Sequence, residues 1–208
     1  MFDLLNLSNI IDASGSSSVL SSPLLASTLA VSIAEIGDKT QLLSLLLVTR
    51  FRNRWAIVAG ILLATLINHG LSAWGGDWLG DRLQVWLASD AVNWLLAASF
   101  AVMAIWVLIP DKEDDDTASY SHWGAFGATT VLFFLAEIGD KTQIATVLLA
   151  AEFQDVLWVT VGTTLGMMIA NVPVVVWGQA LMQRMPLDIA RYATSFIFFV
   201  LALWALMS

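Results

Sequence analysis

The residues best placed to do chemistry stand in two identical octapeptides, Ala34-Glu35-Ile36-Gly37-Asp38-Lys39-Thr40-Gln41 and Ala136-Glu137-Ile138-Gly139-Asp140-Lys141-Thr142-Gln143. Each lies inside a long apolar run, where an acidic side chain costs about 2.5–3.5 kcal/mol on membrane-insertion scales. On a continuous helix, i and i+3 share a face, so Glu35 would point with Asp38 and Glu137 with Asp140. Ion pairs Glu35–Lys39 and Glu137–Lys141 at i, i+4 would lock the helices structurally, yet four carboxylates would still face two ammonium groups. The remaining two negative charges match one divalent cation or two protons. Alternation between those occupants is what a cation/proton antiporter needs.

Around the metal-ligand candidates Glu35, Asp38, Glu137 and Asp140, neutral oxygens of Gln41 and Gln143 complete the set, as hard cations take six or more oxygens. Lys39, Thr40, Lys141 and Thr142 are supporting residues, and the threonines and glutamines serve equally well as interhelical hydrogen bonders. Asn68 and Asn171 fall in roughly corresponding places and join the supporting group, either as carbonyl donors to the ion or as hydrogen bonders between helices. His69 is a lone histidine and a candidate proton relay. Gly37 and Gly139 suit either close helix approach or a local break that turns carbonyls toward an ion; close packing is the expectation. Gly162 and Gly166 form a GxxxG for tight packing of their span.

The elements that must position these residues are membrane helices. Of 208 residues, 58% are hydrophobic and only 12% charged, about half the charge of an ordinary soluble domain. The fold class expected is all-α: a polytopic membrane protein with six transmembrane helices, near 24–49, 55–74, 92–109, 123–151, 156–181 and 189–207. The segment 75–90 would link the second and third spans, with room for a short interfacial helix carrying Trp78 and Trp86. A shift of 102 positions superposes the octapeptides and also Thr28 on Thr130, Phe51 on Phe153 and Gly60 on Gly162. Two three-helix repeats follow, 24–110 and 122–208, joined by an acidic cytoplasmic linker 111–121 and preceded by a tail 1–23. An odd number of crossings per copy makes the repeats inverted, so the two motifs can meet at the midplane.

Arg50, Arg52 and Arg54 place the first connection inside. Lys112, Arg184 and Arg191 then also fall inside, Arg82 outside, and both termini outside. Trp55, Trp106, Trp123 and Trp177 sit near inner ends and Trp74, Trp94, Trp158 and Trp204 near outer ends, as interfacial anchors do. A net charge of −8 argues against nucleic acid. With no cysteine and only His69 and His122 as imidazoles, oxygen-loving cations are favoured over zinc or copper.

These twin Glu-x-Gly-Asp-Lys-Thr motifs, one per half, resemble those of uncharacterised protein family 0016, also classed as the calcium/proton antiporter-2 family. That family includes a Golgi transporter and manganese transporters of cyanobacteria, chloroplasts and other bacteria. The resemblance covers the chain from about Leu24 and implies that Glu35, Asp38, Glu137 and Asp140 handle Mn²⁺ or Ca²⁺ in exchange for H⁺. The ion is cargo, and no cofactor is expected. The partners expected are a divalent metal ion, protons and the lipid bilayer, in a bacterial inner membrane. Two other readings remain: a divalent-cation channel without proton coupling, and a non-transporting membrane assembly protein. No nucleophile–base pair or phosphate loop suggests an enzyme.

Overall fold

The computed structural model describes residues 22–109, 123–178 and 187–207. Among them the chain is all-helical, with eight helices and no strand. They are α1 (Pro23–Ala34), α2 (Lys39–Arg50), α3 (Arg54–Trp86), α4 (Ser89–Trp106), α5 (Gly124–Glu137), α6 (Lys141–Phe153), α7 (Val156–Trp177) and α8 (Leu187–Ala205). The acidic linker, His122, Arg184 and nearly all of the N-terminal tail lie outside the described residues.

Two expectations about continuity fail, in opposite directions. The runs 24–49 and 123–151 are each broken at the motif, into α1 and α2 and into α5 and α6. The break centres on Gly37 and Gly139, at φ 79° and 74°, a region that costs a side-chain-bearing residue roughly 1–2 kcal/mol. The motif glycines therefore serve the break, and a Cβ on Gly139 would meet nothing within 4 Å. Conversely, 75–90 holds no separate interfacial helix, because α3 runs on for 33 residues to Trp86. Gly76 and Gly80 read as linker residues, but here they let α3 lie against α6. A Cβ on Gly76 would sit 2.2 Å from the Val147 carbonyl oxygen, and one on Gly80 2.8 Å from that of Ala151.

Packing crosses between the two halves. α1 lies along α7 and α3 along α5, while α4 packs on α8. The first two contacts are copies of one another. A Cβ on Gly162 would fall 2.6 Å from the Leu24 oxygen and 2.9 Å from Ser27 Cβ; on Gly60, 2.9 Å from the Phe126 oxygen and 2.7 Å from Thr129 Cβ. Leu24 and Phe126, and Ser27 and Thr129, are again 102 positions apart. Gly166 extends the α1–α7 approach, since a Cβ there would fall 2.9 Å from the Thr28 oxygen, so the GxxxG packs as expected. Local devices are duplicated as well: Asn53 caps α3 by accepting from the Ala56 amide at 3.2 Å, and Asp155 caps α7 by accepting from Trp158 at 3.0 Å.

One core joins Phe100, Met103, Leu149, Phe198 and Leu201; a second joins Val31, Ile57, Ile61, Phe133 and Met167. The outside is apolar too, with Leu71, Val102, Ile105, Ile169 and Phe196 all more than half exposed. So large an apolar surface marks contact with lipid or partner. α3 and α7 are long and apolar enough to cross a bilayer, whereas the other apolar helices are shorter. Trp55, Trp74, Trp94, Trp123 and Trp177 are exposed; Trp106 and Trp204 instead pack partly into the first core, Trp204 with its ring 5.2 Å from that of Phe153.

Candidate metal site

The broken helices set the chemistry of the site. Glu35 caps the C-terminal end of α1 and Asp38 is the N-cap of α2; Glu137 ends α5 and Asp140 is the N-cap of α6. The shared face of one continuous helix is thus not what brings the acids together. Interrupting the ladder puts four helix ends near one point, with carbonyls of two C-termini and amides of two N-termini. Such ends suit ions in the low-dielectric interior.

The glutamines close each break. Gln41 Oε1 accepts from the Gly37 amide at 2.7 Å, and Gln143 Oε1 accepts from Gly139 at 2.6 Å. Gln41 also donates through Nε2 to the Ala170 oxygen at 2.9 Å. The threonines hold the glutamates. Thr40 Oγ1 donates to Glu35 Oε2, and Thr142 Oγ1 lies 3.1 Å from both Glu137 Oε2 and Asp140 Oδ2.

Three carboxylates converge. One oxygen each from Glu35, Glu137 and Asp140 lies within 4.8 Å of the other two, and all three residues are buried. Oxygens on opposite sides of one hard cation at about 2.3–2.6 Å contact lie up to about 5 Å apart, a spread that the group does not exceed. Left bare and ionised, each carboxylate pair would repel by about 3–4 kcal/mol at an effective dielectric of 20. Glu35 Oε1 and Glu137 Oε1 are buried without a hydrogen-bond partner.

The lysines reach beyond their own motifs. The break removes the i, i+4 geometry, and Lys39 Nζ instead reaches Asp140 across the halves at 3.0 Å. Lys141 Nζ donates to the Ile109 carbonyl just beyond α4. Asp38 is buried but outside the three-oxygen group; it lines, with Gly37, Ile109, Asp140, Lys141 and Arg191, a cleft of about 30 Å³, room for about one water-sized particle.

The asparagines bond between helices or along them. Asn68 Nδ2 donates to the Phe134 oxygen at 2.9 Å, and Asn171 Oδ1 accepts from Ser44 Oγ at 2.8 Å. Sequence reasoning left His69 out of the ligand set. The structure puts its Nε2 3.6 Å from Glu137 Oε2, with both side chains fully buried. The signal was present, since a shift of 102 pairs His69 itself, not Asn68, with Asn171.

Comparison with known proteins decides the family. The model of the family described as divalent cation/proton antiporter GDT1 matches residues 23–115 and 125–208. The chain belongs to the GDT1 family. A relative named "Putative manganese exporter" from Vibrio cholerae serotype O1 is 52% identical over 183 residues, covering 88% of this chain and 89% of the relative. "GDT1-like protein sll0615" from Synechocystis is 25% identical over 201 residues, covering 85% and 93%. No solved structure matches. GDT1 membership makes this chain a membrane cation transporter, in keeping with the motif resemblance. Both GDT1 motif copies lie within the matched ranges, so the three convergent acids belong to the part of the chain that carries the family likeness.

Proposed function

We propose that the chain exports Mn²⁺ in exchange for H⁺ by alternating access, with Glu35, Glu137 and Asp140 as the ion-binding core and Asp38 at its mouth. The observation that carries this reading is the convergence of three buried carboxylates from two separate motif copies. With Lys39 beside them the group sums to two negative charges, which one divalent cation or two protons neutralise. The name of the Vibrio cholerae relative supports manganese as cargo.

In this reading α1 with α2, and α5 with α6, are single broken crossings. Each twelve-residue helix α1 or α2 spans only about 18 Å, short of a hydrocarbon core of roughly 30 Å. Together with α3, α4, α7 and α8 they make six crossings, as two inverted three-helix repeats over 24–110 and 122–208 around the linker 111–121. The duplicated Gly60 and Gly162 contacts support that symmetry. Arg50, Arg52 and Arg54 orient the first connection to the cytoplasm and both termini outside, in a bacterial inner membrane. The cleft at Ile109 and Arg191 then opens inward. Cytoplasmic Mn²⁺ binds the deprotonated acids, the halves rock, the ion leaves outside, and protons neutralise the acids for the return.

Uptake into inside-out vesicles tests the proposal, with Mn²⁺, Ca²⁺ and Mg²⁺ in turn and with or without an imposed proton gradient. Mn²⁺ uptake that rises with an acidic lumen is expected. Flux indifferent to the gradient identifies a channel, and no flux of any ion identifies an assembly protein.

A further inference from the structure

The two halves differ at one buried pair of equivalent positions. Asn171 in α7 is a satisfied structural amide: its Oδ1 accepts from Ser44 Oγ at 2.8 Å, and its Nδ2 lies 3.2 Å from the Met167 oxygen and 2.9 Å from Met167 Sδ. Its counterpart in α3, His69, is fully buried, and neither Nδ1 nor Nε2 has a hydrogen-bond partner. Buried polar atoms are nearly always bonded, so an imidazole left this way in a membrane interior needs a reason. Its Nε2 faces Glu137 Oε2 at 3.6 Å, beyond a hydrogen bond. Adjacent donors about 2.1 Å from one octahedral ion lie about 3.0 Å apart and opposite ones about 4.2 Å apart. The separation suits two ligands of a common ion better than it suits a direct bond between them.

His69 lies outside the group of mutually close oxygens from Glu35, Glu137 and Asp140, beside its Glu137 member; we infer that it moves onto the ion bound there as a nitrogen ligand, and that this ligand sets the preference of the site for a transition-metal cation over Ca²⁺ and Mg²⁺. The inference rests on the transport site proposed above and adds its specificity. Carboxylate oxygens alone serve Ca²⁺, Mg²⁺ and Mn²⁺ alike, whereas imidazole favours d-block ions. Lys39 cannot take this part, because its ammonium is held by Asp140 and offers no lone pair. Placing the nitrogen in one half only also explains why the position diverged while the octapeptides stayed identical.

The chain has two histidines, His69 and His122, so nitrogen coupling to bound Mn²⁺ is readily assigned. Purified full-length protein loaded with Mn²⁺ alone is measured by electron spin-echo envelope modulation, with and without ¹⁵N-histidine. Histidine coupling is expected in the parent and in His122→Gln, and is expected to vanish in His69→Asn. Competition then reads selectivity: His69→Asn should strengthen Ca²⁺ against Mn²⁺ at least roughly tenfold, the scale found even for groups that merely orient a metal ligand. Bound Mn²⁺ without histidine coupling in the parent, or coupling that persists in His69→Asn, overturns the inference. The parent spectrum decides even if His69→Asn does not fold. If Mn²⁺ coupling to histidine is absent while Glu137→Gln still abolishes transport, only the nitrogen ligand falls; if the parent binds no Mn²⁺, the site proposal falls with it.

Discussion

The two octapeptides are the same eight residues in two different surroundings. Within each, the local chemistry repeats: glutamine to glycine amide, threonine to glutamate, aspartate at the next helix start. Between them, the partners differ. Lys39 crosses to Asp140, while Lys141 reaches back to Ile109. Gln41 donates to Ala170, and α6 packs far more extensively on α3 than α2 does on α7. Gly139 is exposed, whereas Gly37 lines the cleft. Identical sequence sets the break and its local hydrogen bonds; long-range packing decides which aspartate joins the three-oxygen group. The alternating access proposed above requires unequal halves in any single conformation, since equal halves would open the site to both sides or to neither.

The largest effect should come from removing charge where the copies meet. Glu137→Gln and Asp140→Asn should each cut proton-driven Mn²⁺ uptake by more than about a hundredfold, above the loss typical of groups that only support a ligand. Glu35→Gln should match them, because its oxygen belongs to the same group. If Glu35→Gln retains near-parental uptake while the second-copy variants lose it, the site is built from one motif rather than two. Monodisperse protein in detergent would show that these losses are not unfolding.

The duplicated glycine contacts come next. Gly60→Ala and Gly162→Ala each drive a methyl group into backbone within 3 Å, and overpacking of this kind costs about 1–3 kcal/mol. Thermal unfolding in detergent should shift downward by similar amounts for both, and Gly75→Ala, which meets nothing within 4 Å, should leave it nearly unchanged. A marked inequality between Gly60→Ala and Gly162→Ala would break the structural equivalence of the halves.

How far the sequence carried the reading depends on the range of the interaction. The repeat, the acids, the GxxxG and the all-helical class are written in composition and spacing. The break at Glu35–Asp38 was not, because acids at i and i+3 read equally well as one helix face. The passage of α3 through Gly75, Gly76 and Gly80 was hidden for a related reason. Glycine signals a loop locally, yet here its missing side chain admits the Val147 and Ala151 backbone of a helix some seventy residues away. The partner of Lys39 was likewise invisible, since proximity in sequence offered Glu35 and only the fold offers Asp140. His69 lay between these cases, detectable by the 102-residue shift but not by any motif.

A double-mutant cycle sharpens that contrast between near and far. Lys39 and Asp140 should couple by about 1–3 kcal/mol, the cost of leaving a largely buried partner unmatched, reduced because the Lys39 side chain is 24% exposed. Lys39 and Glu35, paired only in a continuous helix, should couple by less than about 0.5 kcal/mol, within the error of additivity. Stability of the four variants in each cycle, measured by chemical unfolding in mild detergent, decides between the cross-half and within-motif pairs. A larger coupling for Lys39 with Glu35 would restore the unbroken helix.

The smallest effect tests the converse case, where the residues differ but the geometry is the same. Asn53 and Asp155 cap α3 and α7 through the same bond, side-chain oxygen to the amide three residues on, at 3.2 and 3.0 Å. Replacing either by alanine orphans one helix-start amide and should cost about 1 kcal/mol. Asp155→Ala should cost a few tenths more, because a carboxylate also meets the positive end of the helix dipole, and that excess should fade as salt is raised. Matched losses at these two caps, set against unmatched couplings at the lysines, would show that the halves share their local scaffold and differ only in which long-range contacts are currently made. If the caps prove as unequal as the lysines, the asymmetry is built into the fold rather than into one conformation of it, and alternation between equivalent halves loses its footing.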